Sequence, residues 1–291
     1  MIHAARSFPV LFLSLAALAW GISTALSKIA VEQLTSLDLF AIEVGTGALC
    51  LGAVAWARGA RPRRISREVV ALGLLEPGLA FLLFDIGITR TAATHGALLL
   101  STDTLFTVGL AWALLDERID RRIVVALAAG LAGSVLVSLP DGDGAMSSLA
   151  GDLLVVASAL SAAGYAIVAK RTASRHHPLT LTAAQMLVAA ALALPLAAGA
   201  ALAHHSHLGH ASAGHLLIAV CVGLLASVIP FVLYNAAIDR VTVSISGLVL
   251  TLVPLFGALA SVVVVGESLA AWQVAGGALV LLAAAVAGSS A

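Results

Sequence analysis

The chain has 291 residues, of which 61% are hydrophobic and 10% charged, and its formal net charge is zero. Soluble domains carry about 25% charged residues, so this composition excludes a water-soluble globular domain and indicates a protein that crosses a membrane several times. The balanced charge gives no indication of a nucleic-acid partner. Cys50 and Cys221 both lie inside apolar runs, and we expect no disulfide between them.

Ten apolar runs follow one another along the chain, each close to the roughly 20 residues that a helix needs to cross a bilayer. They start near Pro9, Thr35, Glu68, Ala92, Arg122, Ala150, Pro178, Gly214, Thr242 and Ala270. The first run continues to Val31, past the length of a signal peptide, so we interpret it as a membrane span. The sequence therefore predicts an all-α membrane protein with ten transmembrane helices.

Positively charged residues lie mainly in every second connection between the spans. With the N-terminus in the cytoplasm, thirteen of the fifteen Lys and Arg residues fall on the cytoplasmic side, and only Lys28 and Arg90 fall outside. Cytoplasmic loops carry an excess of Lys and Arg, so the sequence predicts that both termini are cytoplasmic. Trp56, Trp112 and Trp272 fall near span ends, where aromatic residues form a belt at the membrane surface.

The second half of the chain repeats the first. At an offset of 150 residues Asp85 aligns with Asn235, and the first spans of the two halves align at an offset of 142. We predict one transmembrane domain over residues 1–291, with a first five-helix repeat in residues 1–140 and a second in residues 150–291. Because five is an odd number of crossings, the second repeat enters the membrane inverted, an architecture typical of secondary transporters with a site at the repeat interface.

The acidic motifs after the fourth and ninth spans, "LLDERID" and "VVGESLA", and the small-residue fifth and tenth spans, "LAAGLAGSVL" and "VAGGALVLLAAAVAG", give the repeat a specific form. Together with the five-plus-five topology, they make the whole chain resemble the drug/metabolite transporter superfamily of the EamA type. Within it, the chain is most similar to bacterial amino-acid exporters, including those for aromatic amino acids. The resemblance implies alternating access to a cavity lined by residues of both repeats.

Carboxylates lie inside the predicted spans, where a charged group costs about 2.5–3.5 kcal/mol on insertion scales. They are Glu43, Glu76, Asp85 and Asp103. At about 1.5 Å per residue, Asp103 lies roughly 16 Å into the fourth span, near the midplane, so we predict that it lines the cavity and consider it as a proton-coupling group. A neutral carboxyl bonded to neighbouring hydroxyls is the alternative. Glu43 and Asp85 fit either the cavity or structural ion pairs with Lys28 or Arg90.

Aromatic and small polar residues inside the spans complete the predicted cavity. Trp20 falls near the middle of the first span, and Pro254 lies where the ninth span aligns with the region of Asp103. A proline frees backbone carbonyls, and such breaks are tolerated in membranes where they line a cavity. Core packing is the alternative for the aromatic residues, and close helix packing for Ser23, Thr24, Ser158 and Ser161. The predicted cavity residues are Trp20, Ser23, Thr24, Glu43, Asp85, Asp103, Tyr165, Tyr234, Asn235 and Pro254.

Other polar motifs favour structural interpretations. Glu117 and Glu267 each precede a helix, so we expect them to stabilise the starts of the fifth and tenth spans. The outer loop "HHSHLGHASAGH" is rich in histidine, but its spacing is not that of a structural zinc site. "PDGDG" from Pro140 lacks the remaining ligands of a calcium loop and predicts a turn.

The leading hypothesis is a secondary transporter that exports amino acids across the bacterial inner membrane. An exchanger of sugar phosphates, nucleotide sugars or drugs is the alternative, and an intramembrane enzyme is a remote one, because HExxH and GxSxG motifs are absent from the sequence. We expect no cofactor, no catalytic residue and no metal site. The expected partners are a small-molecule substrate and the lipid bilayer, and the oligomeric state stays open, since the small residues of the fifth and tenth spans suit either a dimer or packing within one chain.

Overall fold

The computed structural model describes residues 2–59, 65–88, 90, 99–100, 102–139, 148–264, 266 and 269–290. Every regular element in these residues is a helix, and the helices form ten successive segments, here called spans one to ten. The spans are Ile2–Ala30, Ser36–Ala57, 67–88, Thr102–Leu115, Arg121–Ser138, Leu149–Ala173, Pro178–Leu202, Ala213–Arg240, Val243–Val264 and Ala271–Ser290. The predicted start of span four at Ala92, the turn at Pro140 and Glu267 lie outside the described residues.

Most of the described spans have the composition of helices that face lipid. Seven of those described are long and apolar enough to cross a bilayer, and the described parts of spans four and ten are shorter apolar helices. Large apolar side chains are exposed on the outside of the bundle, among them Leu49, Leu217 and Val263. Trp56 and Trp112 are also exposed, as a membrane-surface position requires. The fold class predicted from the sequence, an all-α membrane protein, is confirmed.

Polar residues at the span boundaries fix where the helices begin. A side chain at the residue before the helix accepts a backbone N–H of the first turn in spans two, three, five, six, eight and nine. Such caps satisfy N–H groups that have no partner within the helix, and in an apolar environment an unpaired N–H is costly. The capping residues are Thr35, Ser66, Asp120, Ser148, Ser212 and Thr242.

Spans three and eight are interrupted at positions related by the repeat. Span three loses regular α-helical geometry at Leu74–Leu79 and span eight at Leu224–Val228, 150 residues later. Pro77 lies inside the first interruption and Pro230 follows the second, and neither residue can donate a backbone hydrogen bond. Glu76 has non-helical backbone angles, with φ −151° and ψ 128°. Both interruptions leave backbone carbonyls that need partners from other spans.

Span nine is also divided, into Val243–Leu250 and Leu252–Val264. Pro254 lacks the N–H that would bond to the carbonyl of Leu250, which accounts for a break at Thr251. The hydroxyl of Thr251 donates to the carbonyl of Leu248 at 2.6 Å and satisfies one acceptor there. The break expected from Pro254 is therefore present.

The spans pack in pairs that remain the same when the two halves of the bundle are exchanged. Span five packs on span ten, and span two on span seven. Span one packs on spans eight and nine, while span six packs on spans three and four. This is the pattern expected of two repeats related by a pseudo-two-fold axis. The boundary between the repeats, predicted between residues 140 and 150, stays a prediction.

Spans five and ten meet through glycines. A Cβ atom added at Gly133 would lie 2.6 Å from the carbonyl oxygen of Gly276, and one added at Gly276 would lie 2.7 Å from that of Gly133. Small residues allow membrane helices to approach this closely. The small residues of spans five and ten therefore pack against each other within the chain, and the oligomeric state stays open.

Candidate functional site

Five aromatic rings from four spans form a cluster inside the bundle. Phe231 of span eight lies at its centre, with ring-centroid distances of 5.3 Å to Trp20, 5.6 Å to Tyr165 and 6.2 Å to Phe81. Tyr234 lies 5.6 Å from Tyr165 and 6.4 Å from Trp20. Phe231, Tyr165 and Tyr234 are buried, whereas Trp20 and Phe81 keep accessible surface. The structure thus brings together three predicted cavity residues, Trp20, Tyr165 and Tyr234, around two phenylalanines that the sequence analysis did not select.

Trp20 is held by the interruption of span eight. Its indole Nε1 donates to the carbonyl oxygen of Ala226 at 2.9 Å. Ala226 lies within the irregular segment Leu224–Val228, where the regular helical bonds are disturbed. A buried indole N–H needs a partner, and this carbonyl supplies one. The ring orientation is therefore coupled to the backbone of span eight.

A buried polar network adjoins the cluster on the side of span seven. The hydroxyl of Tyr165 donates to Oδ1 of Asn235 at 3.1 Å. Nδ2 of Asn235 donates to Oγ1 of Thr182 at 3.0 Å and to Oε1 of Gln185 at 3.2 Å. Gln185 in turn donates from Nε2 to the carbonyl of Glu76 at 2.8 Å. The network connects spans six, eight and seven to the interruption of span three.

Glu76 and Asp103 are two carboxylates in the same part of the bundle as the tyrosines. They lie within electrostatic reach of each other and of Tyr234. Both are surrounded by protein atoms, and each keeps part of its surface accessible. Oγ1 of Thr107 donates to Oδ1 of Asp103 at 3.3 Å, a hydroxyl partner that the sequence analysis considered. In the described part of span four, Asp103 lies in the first turn.

Glu43 and Asp85 form a second pair of carboxylates, between spans two and three. Glu43 is buried and lies within electrostatic reach of Asp85. Nζ of Lys28 approaches Oγ of Ser261 in span nine at 3.5 Å, and Arg90 is exposed. Among the described residues, a charge that acts on Glu43 is that of Asp85, another acid.

The predicted hydroxyl residues bond to the backbone. Ser23 and Thr24 both donate to the carbonyl of Trp20, one turn earlier in the same helix. Ser158 donates to the carbonyl of Ala80 at 2.8 Å, and Ser161 to that of Leu75 at 2.9 Å. These two hydroxyls of span six satisfy carbonyls in and beside the interruption of span three. For Ser158 and Ser161 the structure therefore gives a structural bond where the sequence also allowed a substrate contact.

Glu117 caps span nine, which corrects the expectation that it stabilises span five. Its carboxylate accepts the backbone N–H of Val243 at 2.6 Å and both the N–H and the hydroxyl of Ser244, at 3.0 and 2.7 Å. Asp120 caps span five instead. Lys170 donates to three carbonyls at the end of span eight, at 2.7–3.0 Å. The turn between spans eight and nine is thereby fixed from both sides.

The histidine-rich loop is tied to the start of span two. The buried carboxylate of Asp38 accepts the hydroxyl of Ser206 at 2.6 Å and the N–H of His207 at 2.9 Å. His215 approaches Glu32 at 3.6 Å. Over the part of the chain that the structure covers, no three His, Cys, Asp or Glu side chains are placed to hold a metal ion together. The contacts of this loop are those of a packed connection between spans seven and eight.

The chain belongs to the EamA-like transporter family, whose sequence pattern matches residues 7–139 and 149–289. An uncharacterized transporter from Archaeoglobus fulgidus is 26% identical over 194 residues, which are 67% of this chain and 66% of that protein. The uncharacterized transporter YcxC from Bacillus subtilis is 27% identical over 223 residues, or 74% of this chain and 70% of that protein. The chain thus spans about two thirds of the length of these relatives. They are transporters and not enzymes.

The fold has a counterpart among solved structures. One crystal structure superimposes with a TM-score of 0.78 over 96% of this chain and 96% of its own length, at 21% identity. At this identity the likeness concerns the fold. The resemblance to the EamA type inferred from the paired motifs and the repeat is confirmed at the level of the family.

Gln185 and Thr182 were missed by the sequence analysis, and Glu76 was noted without being placed in the cavity. A usable signal existed for Gln185, because it is an amide inside the apolar run of span seven, and an isolated polar residue in a span requires a partner. The phenylalanines carried no comparable signal, since apolar rings are common throughout membrane helices.

Proposed function

We propose that this transporter exports amino acids, preferentially those with an aromatic or large apolar side chain, by alternating access across the bacterial inner membrane. Both termini are cytoplasmic in this proposal, in agreement with the distribution of Lys and Arg. The observation that supports the substrate class is the aromatic cluster around Phe231, adjacent to the carboxylates of Glu76 and Asp103. The carboxylates and rings are the substrate-binding groups of the proposed cavity.

The chemistry of this cavity suits an ammonium group joined to an apolar side chain. Aromatic rings prefer offset or edge-to-face contacts with one another, which a substrate ring can join at the accessible surfaces of Trp20 and Phe81. A carboxylate binds an ammonium group through charge-assisted hydrogen bonds, and aromatic faces add cation–π attraction. Removed from water, these contacts discriminate strongly between a cation and a neutral group.

Sugar phosphates and nucleotide sugars fit this cavity less well. A phosphate requires cationic donors, whereas the side chains that face each other across the bundle here are carboxylates. Lys170 and Arg171 lie in the last turn of span six and bond to carbonyls at the ends of spans eight and four. Organic cations of the drug type remain the second candidate, because they share the ammonium and the apolar body of the proposed substrates.

The test is uptake of radiolabelled amino acids into proteoliposomes, with and without an imposed pH gradient, for the wild type and Asp103→Asn. We expect saturable uptake of phenylalanine, tyrosine, tryptophan or leucine, and a loss of at least about tenfold in kcat/KM for Asp103→Asn, corresponding to one charged contact. Asp116→Asn is the matched control, since it makes the same change at the exposed end of span four and should transport normally.

Two outcomes would contradict this proposal. Uptake of sugar phosphates or quaternary cations without any amino-acid flux would overturn the substrate class and leave the transporter assignment intact. Unchanged uptake by the Asp103→Asn variant would show that Asp103 is not one of the substrate-binding residues. If uptake depends on the pH gradient in the wild type and not in the variant, Asp103 also carries the coupling proton.

A further inference from the structure

Gln185 is a fully buried amide whose two polar atoms face different parts of the bundle. Its Nε2 donates to the carbonyl of Glu76 at 2.8 Å, and its Oε1 accepts from Asn235 at 3.2 Å. A side-chain amide can be both donor and acceptor, so one residue here joins the interruption of span three to span eight.

The bond to Glu76 falls where the helix cannot supply one. Glu76 has extended backbone angles, and Pro77 after it has no N–H, so the regular bonding of span three is interrupted here. A backbone carbonyl left without a partner in an apolar interior is costly. The amide of Gln185 removes this cost only while the interruption keeps its present geometry, which makes the bond selective for that geometry.

The packing of spans three and seven is shaped to allow this contact. A Cβ atom added at Gly73 would lie 2.5 Å from the carbonyl oxygen of Gln185 and 2.6 Å from Cβ of Val188. The backbones therefore approach each other directly beside the interruption. A larger residue at Gly73 would push span seven away and carry the Gln185 amide out of reach of Glu76.

The repeat-related interruption is held in a comparable way. Ala226 lies 150 residues after Glu76, and its carbonyl also accepts a side-chain N–H from another span, that of Trp20 at 2.9 Å. The donors differ, an indole from span one and an amide from span seven. Both interruptions are thus fixed by a side chain connected to the aromatic cluster, since Gln185 reaches Tyr165 through Asn235.

We propose that Gln185 is a positioning residue: its amide holds the carbonyl of Glu76 and thereby keeps the Glu76 side chain in the cavity beside Asp103. The link through Asn235 to Tyr165 makes this position depend on the aromatic cluster. A substrate that contacts both the aromatic cluster and the carboxylates therefore binds to groups whose relative placement depends on the buried amide of Gln185. The role of the cavity in transport rests on the function proposed above, whereas the placement of residue 76 does not.

The experiment measures the placement of residue 76 without requiring a substrate. Glu76→Cys is prepared with Cys50 and Cys221 replaced by alanine, and its labelling rate by a small water-soluble thiosulfonate reagent is measured in the full-length protein in detergent. Adding Gln185→Met is expected to change that rate by about tenfold, since one buried hydrogen bond is lost. Met186→Leu, a buried neighbour in the same span, is the matched control and should leave the rate unchanged.

Gln185→Leu is the second variant, because it also removes the amide donor to Glu76 and fills the site with a different apolar shape. It should change the labelling rate in the same direction as Gln185→Met, so the test stands if either variant folds. A rate that both folded variants leave within about twofold of the parent would overturn the inference, because such a change is too small for a lost buried bond.

Transport kinetics give an independent readout. If Gln185 acts through Glu76, the KM of Gln185→Met combined with Glu76→Gln should equal that of Glu76→Gln alone, whereas independent roles give additive effects. Additive effects on KM, with normal amino-acid uptake by the wild type, would overturn the positioning role and leave the proposed function standing. Absence of amino-acid uptake with altered labelling would overturn the proposed function and support the placement.

Discussion

Phe231→Ala is expected to abolish saturable transport and to lower the stability of the folded protein by about 3–5 kcal/mol, the usual cost of emptying a buried phenylalanine site. Phe231 is fully buried and its ring contacts those of Trp20, Tyr165 and Phe81. In a bilayer the lost contacts are not compensated by lipid, because the site lies inside the bundle. Trp20 and Tyr165 would lose the ring that separates them, and the cluster would lose its shape.

Thermal unfolding in detergent and phenylalanine uptake measure the two parts of this prediction. Phe8→Ala is the matched control, since Phe8 is 54% exposed and should tolerate the same substitution with a small change in midpoint. Phe231→Leu should restore most of the stability and less of the transport, because it returns volume without the ring. If the Phe231→Ala variant keeps the KM of the wild type, the aromatic cluster contributes to helix packing and not to substrate binding.

Glu117→Ala should be the most damaging change at the end of the bundle where spans eight and nine meet. It leaves two backbone N–H groups and the hydroxyl of Ser244 without their carboxylate, at the start of span nine. Hydrogen bonds to a charged group contribute about 1.5–3 kcal/mol each, and part of this is recovered from water, so we expect a loss of about 2–4 kcal/mol. The turn held by Lys170 would also be loosened.

The measurement is the unfolding midpoint together with the maximal rate of uptake. Glu117→Gln keeps one acceptor oxygen and should fall between the wild type and Glu117→Ala. Glu68→Ala is the control: Glu68 is an exposed acid that bonds to the capping Ser66 at the start of span three, so its loss should lower the midpoint only slightly. An unchanged midpoint in Glu117→Ala would contradict the capping role described here.

The starts of most described spans could be predicted from the sequence, because hydropathy and short polar connections specify them locally, whereas the first helix begins at Ile2 and not near Pro9. The starts predicted near Thr35, Pro178 and Thr242 lie within one residue of the observed helices. The repeat was visible because polar pairs recur at one offset. The break at Thr251 followed from Pro254, whose missing N–H acts locally. Local causes of this kind can be inferred from a single chain.

Partners across the bundle could not be predicted in the same way. Glu117 bonds to residues 126 and 127 positions later, and the nearby start of span five was the simpler expectation. Glu43 lies beside Asp85, where a cation was an equal candidate. Ser158 and Ser161 donate hydrogen bonds to carbonyls that the interruption of span three leaves without helical partners. The form of that interruption depends on packing. These contacts depend on helix rotation and register, which hydropathy does not encode.

The substrate site is tested most directly by competition among three compounds that share a phenyl ring and differ in charge. Uptake of radiolabelled phenylalanine into proteoliposomes is measured with unlabelled phenylalanine, 2-phenylethylamine or 3-phenylpropionate as competitor. If the ring contacts the cluster around Phe231 and the ammonium contacts Glu76 and Asp103, the amine should compete at least about tenfold better than the acid, equivalent to about 1.4 kcal/mol. Equal or stronger competition by 3-phenylpropionate would contradict an acidic substrate site.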